Sequence, residues 1–374
     1  MKNIFFFVYS NNAKNNLWYK DHILYTLKKI SNLTHYNPFD DNVYDVYEYN
    51  RILLKKIKSA WKIDLFFSMA NDYIILSETI DEIKKLWIPT VNFSCDNLER
   101  PFDLIKIAKH YDYLWVTEPE AVAIFNSYWA NPLHIPEAAN PDIYRPYFNE
   151  KEIYNAAFVW FKNSSRPQYI YKLLDNDIDI KVWWYWWKSI QQGDTAKKRA
   201  FKNPLNTVKY ILNNLKYPEW RTWIYADILN TIYESKPSKK VSWILDKHIW
   251  WELSFEDMIK LYSQAKVSLW FNERGNTYQF KIPLYQIRLR DFEAPMSWAC
   301  YLMYRIPEML NYFEEDKEMI FYSSFEELIE KIKFYTKPEN DWLRQQIKEN
   351  ARKRALRDHT WEHRFNTLFS FIFK

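Results

Sequence analysis

Residues 286–302 read Gln-Ile-Arg-Leu-Arg-Asp-Phe-Glu-Ala-Pro-Met-Ser-Trp-Ala-Cys-Tyr-Leu. The first part mixes charged and apolar residues at helical spacing and predicts a helix over residues 286–294. The apolar run that follows predicts a buried strand over residues 299–304. A helix that leads through small residues into a buried strand is the repeating unit of α/β folds.

The same alternation of short apolar runs with amphipathic segments fills the first 135 residues. The predicted strands are residues 3–9, 33–36, 63–68, 89–93, 113–117 and 133–135. The predicted helices are residues 18–30, 44–59, 77–86, 102–110 and 118–128. Strands that alternate with helices in this way indicate a doubly wound parallel sheet.

A second series of alternating elements begins at residue 154 and is interrupted by a less regular helical insertion near residues 195–235. Its predicted strands are residues 154–161, 178–183, 266–271, 299–304 and 318–322. Its predicted helices are residues 167–174, 254–264, 286–294 and 325–335, followed by two longer ones over residues 341–357 and 361–371. The pattern predicts a second parallel sheet.

Four prolines lie close together between the two series, at Pro132, Pro136, Pro141 and Pro146. Proline ends helices and stiffens extended chain, so this passage indicates an interdomain linker. We therefore predict Rossmann-like domains over residues 1–140 and 153–338, a linker over residues 141–152 and closing helices over residues 339–374. The two domains are expected to face each other across a cleft.

Composition limits the kinds of partner. The net charge of +5 is small for 374 residues and is distributed along helices, so no nucleic-acid-binding surface is expected. No stretch reaches the roughly 20 apolar residues of a membrane span. The two cysteines are far apart and lack metal-ligand spacing, which favours reduced thiols. We expect a cytoplasmic protein with no integral membrane segment, bound metal or cofactor.

The chain has two glycines and nineteen tryptophans. Average usage of about 7% glycine would give roughly 26 glycines in a chain of this length. One interpretation is an unusually aromatic protein. The other is that UGA codons, written here as tryptophan, encode glycine in the source organism, a reassignment that some bacterial lineages make. Glycine serves where the backbone needs positive φ or a close approach, which an indole disfavours.

The turn over residues 159–166 connects a predicted strand to a predicted helix. Ligands of such sheets bind at the carboxyl ends of strands, and helix N-termini attract phosphates there. Lys162 and Arg166 lie beside this helix start and would neutralise a diphosphate. The alternative interpretation is an ordinary solvated loop with a serine helix cap.

The segment 286–302 supplies further candidates. The carboxylate of Glu293 would accept both hydroxyls of a ribose, and Arg288 and Arg290 would hold phosphate. Ser297 and Trp298 form the turn after the predicted helix and complete this set of binding candidates. Taken by themselves, these residues also fit a surface helix stabilised by salt bridges.

In the first domain, Asp96 follows the predicted strand 89–93. It would position an acceptor hydroxyl or act as a catalytic base. Capping of a helix is the equally good alternative.

Several segments together resemble the CgeB-like, or spore-maturation-protein-like, glycosyltransferases. They comprise Arg-Asp-Phe-Glu-Ala-Pro-Met-Ser at 290–297, Tyr304, Pro307-Glu308, Tyr312-Phe313, Ile-Phe-Tyr-Ser-Ser at 320–324, Glu-Glu-Leu at 326–328, Arg354, His-Thr-Trp at 359–361 and Arg364. The similarity extends weakly to residues 134–141 and 159–166. In the family pattern, glycine follows Val159, Ser297, Leu269 and Leu86, where this chain has tryptophan each time.

The resemblance implies a GT-B fold, with an acceptor domain over residues 1–140 and a nucleotide-sugar donor domain over residues 153–338. It implies metal-independent transfer of a sugar from a nucleotide diphosphate to a glycan, protein or small-molecule acceptor, in bacterial glycan biosynthesis. It also implies that Glu293 binds the donor ribose. A sugar-nucleotide epimerase of the same fold, or a catalytically inactive GT-B-like binding protein, remain alternatives.

Overall fold

The computed structural model describes residues 1–10, 18–98, 101–159, 164–183, 212, 215–233, 236–250 and 253–373. The chain divides into two compact units, the first formed by Met1–Asn140 with Trp361–Lys374 and the second by Pro141–Thr360. The segment predicted as a linker, residues 141–152, falls in the second unit. The predicted closing segment, residues 339–374, is shared between the two units.

The first unit contains a six-stranded parallel sheet with the strand order β2-β1-β3-β4-β5-β6. Its strands are β1 Lys2–Val8, β2 Ser31–Tyr36, β3 Leu65–Met69, β4 Thr90–Ser94, β5 Tyr113–Val116 and β6 Pro132–His134. Its α-helices are Tyr25–Ile30, Val46–Ser59, Ser77–Lys84, Ile105–Ala108, Pro119–Ser127 and Trp361–Ile372. Shorter helical turns are Lys20–Leu24, Pro38–Asp41 and Pro101–Asp103. The six predicted strands are confirmed, with small shifts at their ends.

An aromatic cluster holds the last helix of the chain against the first sheet. Trp361 and Phe365 of that helix lie 6.0 and 5.3 Å from the ring of Trp115 in β5, measured between ring centroids. The three side chains are fully buried. The indole nitrogen of Trp115 donates a hydrogen bond of 2.7 Å to the carbonyl of Ile135. The end of the chain therefore belongs to the core of the first unit.

The second unit contains another six-stranded parallel sheet, with the order β12-β11-β10-β7-β8-β9. Its strands are β7 Tyr154–Val159, β8 Ile180–Trp183, β9 Ile249–Trp250, β10 Ala265–Leu269, β11 Tyr301–Tyr304 and β12 Ile320–Tyr322. Its α-helices are Arg166–Asp175, Pro218–Tyr233, Lys239–His248, Phe255–Gln264, Arg290–Met296, Phe325–Tyr335 and Asp341–Asp358. Shorter helical turns are Gly275–Gln279, Pro307–Asn311 and Pro338–Asn340.

The structure differs from the sequence expectations for this unit at three places. The strand β9 was missed, because two residues are too few to establish a period. The helix Lys239–His248 was also missed. The predicted helix 286–294 begins only at Arg290. Its first predicted residue, Gln286, instead donates its backbone N–H to the carbonyl of Asn272 at 3.0 Å. Pairing with a distant segment therefore overrides the helical pattern at this end.

The predicted fold class, a doubly wound α/β protein with two parallel sheets, is confirmed by both strand orders. Each sheet has helices between its consecutive strands, as parallel connections require. Within the described ranges, no helix combines the length and the apolar character that crossing a bilayer requires.

A buried charged cluster fastens the helix Asp341–Asp358 to the second sheet. Glu152, just before β7, accepts hydrogen bonds from Arg344 at 2.6 Å and from Lys348 at 2.7 Å. Both cationic side chains are almost fully buried. Burial by itself raises the pKa of Glu152, but Lys348 and Arg344 outweigh it and the pKa is lowered. Lys348 also donates to the carbonyl of Ala265 at 3.0 Å, so the cluster joins the first residues of β7 and β10.

Candidate functional site

The order of the second sheet defines where a ligand would bind. From β7 the chain continues to β8 and β9 on one side, whereas β10 continues to β11 and β12 on the other. Because β7 and β10 are neighbours, the connections that leave their carboxyl ends diverge and leave a crevice. The residues at this edge are the ones that follow Val159 and Leu269. Lys162 and Trp160 belong to the first of these loops and lie outside the described residues.

Two hydroxyl groups join the loops on either side of this crevice. Ser165 donates a hydrogen bond of 2.8 Å to Oε2 of Glu273, and both residues are buried. The hydroxyl of Ser164 donates to the carbonyl of Gly275. Gly275 has a φ of +51°, a conformation that glycine adopts readily. These bonds fix the start of the helix Arg166–Asp175 relative to the segment after β10.

Arg166 occupies the first position of that helix, which begins one residue before the predicted start at residue 167. Its guanidinium carbon lies 5.0 Å from the ring centroid of Trp270, the first residue after β10. A cation held over an indole face at this distance is stabilised by the ring quadrupole. The start of this helix and the charge of Arg166 thus lie together at the sheet edge, an arrangement that favours an anion.

Glu273 is central to this edge and is not among the residues predicted from the sequence. Besides Ser165, the carboxylate of Glu273 interacts with the phenol of Tyr169, whose ring stacks on Phe271 at 4.6 Å. Burial, and then the neighbouring Glu273 carboxylate, raise the pKa of Tyr169 well above its ordinary value. Only the pairing of distant loops reveals Glu273, because its neighbours along the chain form no motif.

Glu293 lies in the helix Arg290–Met296, almost fully buried. Its Oε2 lies 3.3 Å from Nη1 of Arg290, which also donates to the hydroxyl of Tyr262 at 3.0 Å. Burial and then the charge of Glu293 raise the pKa of Tyr144 well above its ordinary value. The structure therefore brings Glu293 and Arg290 together, in a buried polar cluster with two tyrosines.

Arg288, Ser297 and Trp298 flank the same short helix. Arg288 precedes the helix, and its backbone N–H donates to Oδ2 of Asp291 at 2.7 Å. Ser297 is fully buried, and its hydroxyl donates to the carbonyl of Glu293 at 2.8 Å. Trp298 follows the helix with a φ of +74°, and its ring lies 5.0 Å from that of Phe148.

Asp291 links this helix to the segment after β10. Besides Arg288, its carboxylate accepts hydrogen bonds from Asn272 at 2.9 Å and from the hydroxyl of Tyr301 at 2.8 Å. The side chain is fully buried. Burial raises the pKa of Asp291 to about 7, even though the three donors oppose the rise. Asp291 thus sets where the helix that carries Glu293 begins.

Asp96 belongs to the first unit, where it follows β4 with a φ of +55° and an exposed side chain. The next residue, Asn97, donates from its side chain to the buried carboxylate of Glu118 at 2.8 Å and to the carbonyl of Ser94 at 2.9 Å. These bonds hold the loop that presents Asp96. Across the described ranges, no three His, Cys, Asp or Glu residues are arranged to hold a metal ion.

Residues 235–370 match the sequence profile of a family described as glycosyl transferase-like. The matched segment includes Glu273, Asp291 and Glu293 and supports a glycosyltransferase. No curated protein matches the chain in sequence.

Solved structures resemble the whole chain at low sequence identity. A glycosyltransferase from Rickettsia africae superposes with a TM-score of 0.55 and 11% identity, covering 99% of this chain and 98% of its own. A sucrose-phosphate synthase from Thermosynechococcus elongatus superposes with a TM-score of 0.56 and 10% identity, covering 100% of this chain and 99% of its own. The Anabaena protein HepE, solved with UDP and glucose, superposes with a TM-score of 0.57 and 10% identity, covering 100% of this chain and 99% of its own. The chain has the GT-B fold.

Replacing Asp291 by Asn should change how stability depends on pH. The pKa of Asp291 rises from 3.8 to about 7 on folding, so the free energy of unfolding of the original chain falls as pH rises through this range. Asn resembles the neutral carboxyl and can pair with the same three groups. As pH rises through this range, the free energy of unfolding of the variant should therefore increase relative to that of the original chain by up to about 1.4 kcal/mol per pH unit. Urea denaturation at several pH values measures this difference, and parallel curves would contradict the assignment.

Proposed function

We propose that this protein is a glycosyltransferase of the CgeB-like group that transfers a sugar from a nucleotide diphosphate to a glycan, protein or small-molecule acceptor. The observation that carries the proposal is the position of Arg166 at a helix N-terminus, at the divergence of β7 and β10. This edge lies in a GT-B fold whose residues 235–370 match a glycosyl transferase-like family. We propose a cytoplasmic, bacterial protein.

Departure of the nucleoside diphosphate is the step that needs electrostatic help. Negative charge develops on the leaving phosphate in the transition state, and preorganised donors stabilise it most effectively in a site that excludes water. The guanidinium of Arg166 and the positive end of its helix dipole would supply such stabilisation, together with Lys162 and Arg288. Because these groups are already cationic or dipolar, we propose that transfer needs no bound metal. The UDP complexes of HepE are consistent with this class of donor.

Glu293 is proposed to accept the ribose hydroxyls. A carboxylate has two oxygens and accepts from both members of a vicinal diol. In the structure Glu293 pairs with Arg290, so ribose binding would share or replace part of this ion pair. Arg290, Ser297 and Trp298 are proposed to line the donor site around Glu293. On the acceptor side, Asp96 is proposed to orient or deprotonate the attacking hydroxyl.

The direct test is turnover with a panel of nucleotide sugars in the presence of EDTA. Release of the nucleoside diphosphate with transfer or hydrolysis of the sugar is the expected result, at a rate independent of added divalent metal. Isomerisation of the sugar nucleotide without release would favour the epimerase. Binding without any turnover would favour the inactive binding protein.

The role of Arg166 can be measured by calorimetry with uridine and UDP. UDP should bind much more tightly than uridine, because the diphosphate meets a cation and a helix N-terminus. Arg166→Ala should remove most of this difference. Lys172→Ala is the matched control, since Lys172 lies on the same helix and also faces an aromatic ring, that of Phe325 at 5.4 Å. Equal affinities of the original chain for uridine and UDP would refute a phosphate site.

The role of Glu293 can be separated from its role in folding by comparing ligands. Glu293→Gln should weaken UDP binding by about 1–3 kcal/mol, the scale for a lost hydrogen bond to a charged group. The original chain should prefer UDP over 2′,3′-dideoxy-UDP, and the variant should lose this preference. A general loss of structure would weaken the binding of both ligands equally. If the preference persists unchanged in the variant, Glu293 does not bind the ribose.

A further inference from the structure

Eight residues other than glycine have a positive φ in the described part of the chain: Asn42, Trp87, Asp96, Trp129, Ser164, Asp177, Trp298 and Asp316. Four of them are Asn or Asp, the types that best tolerate this conformation. The three tryptophans have φ values of +59°, +64° and +74°. For a bulky residue this is an outlying conformation, because Cβ approaches the backbone too closely.

All three tryptophans lie just beyond the end of a helix, Trp129 and Trp298 as the second residue after it and Trp87 as the third. Glycine is the usual residue at such a position. At Trp129, its own N–H bonds to the carbonyl of Asn126 at 3.1 Å, and the N–H of Ala130 bonds to Phe125 at 3.2 Å. At Trp298, the same pair of bonds reaches Pro295 at 3.3 Å and Ala294 at 3.1 Å. This is the Schellman motif, whose left-handed residue is most often glycine. Trp87 makes the first of the two bonds, to the carbonyl of Lys84 at 2.8 Å.

The indoles of Trp87 and Trp129 contribute almost no packing. Trp87 is 94% exposed and Trp129 is 86% exposed. Trp115 and Trp361 are the opposite case, since both are fully buried and their rings contact each other in the core of the first unit. Tryptophan therefore occurs in two kinds of environment, one in which the indole fills a core and one in which the backbone favours a residue without Cβ.

We propose that the source organism incorporates glycine at positions 87, 129 and 298 and tryptophan at positions 115 and 361. Two different codons would then be written with the same letter in this sequence. With these three positions the chain would have five glycines and sixteen tryptophans instead of two and nineteen. It also removes the indole from position 298, beside the helix that carries Glu293. It does not depend on the proposed function, because no ligand enters the argument.

Peptide sequencing by mass spectrometry of the protein isolated from its source tests the proposal directly. Glycine should occur at positions 87, 129 and 298, and tryptophan at positions 115 and 361. Tryptophan at the first three positions would overturn the proposal. Glycine at all five would overturn the structural distinction on which it is based.

Thermal unfolding of the recombinant chain gives an independent test. At positions 87 and 129, the Gly variant should be more stable than the Ala variant, because both remove the indole and only Ala keeps Cβ. The matched control is Trp243, which is 80% exposed inside the helix Lys239–His248, where Ala should be more stable than Gly. Differences on the order of 2–4 °C in midpoint are expected. Ala variants at 87 and 129 as stable as the Gly variants would overturn the proposal.

Discussion

The pairing of β7 with β10 is the interaction on which the second unit depends. Val267 lies opposite Ala156, and Ser268 lies opposite Ala157, although more than a hundred residues separate the two strands along the chain. The chain leaves these neighbouring strands toward opposite sides of the sheet, so the connections diverge at the edge between them. The hydrogen bond from Ser165 to Glu273 crosses that edge and holds its two sides in register.

Charge buried in the second unit is compensated in three different ways. Glu152 stays ionised between two cations, and its pKa is lowered. Asp291 has backbone and side-chain donors but no ion pair among its hydrogen-bond partners, and burial raises its pKa. Glu293 pairs with Arg290 within one short helix. In the last arrangement each charge compensates the other, and Arg290 also donates a hydrogen bond to the hydroxyl of Tyr262.

The tryptophans show how backbone conformation and side-chain packing can give separate information about one residue type. Trp115 and Trp361 are explained by the aromatic core around them. Trp87 and Trp129 have exposed rings and a backbone that favours glycine. Composition alone raises the question of glycine, but it cannot say at which positions. The φ angle answers that for individual residues, because it records a requirement of the main chain that the side chain does not satisfy.

Local patterning was enough to predict the two parallel sheets, because buried parallel strands are continuous apolar runs and the helices between them are amphipathic. The same local patterns predicted that Arg166 lies beside the start of a helix that follows a strand. Tertiary structure alone decided where the helix that carries Glu293 begins, since Asn272 pairs with Gln286 across the intervening loop. It alone identified Glu273 as the carboxylate that joins the loops after β7 and β10. Such features arise from contacts between residues far apart in sequence, and a local period carries no information about which distant backbone groups will meet.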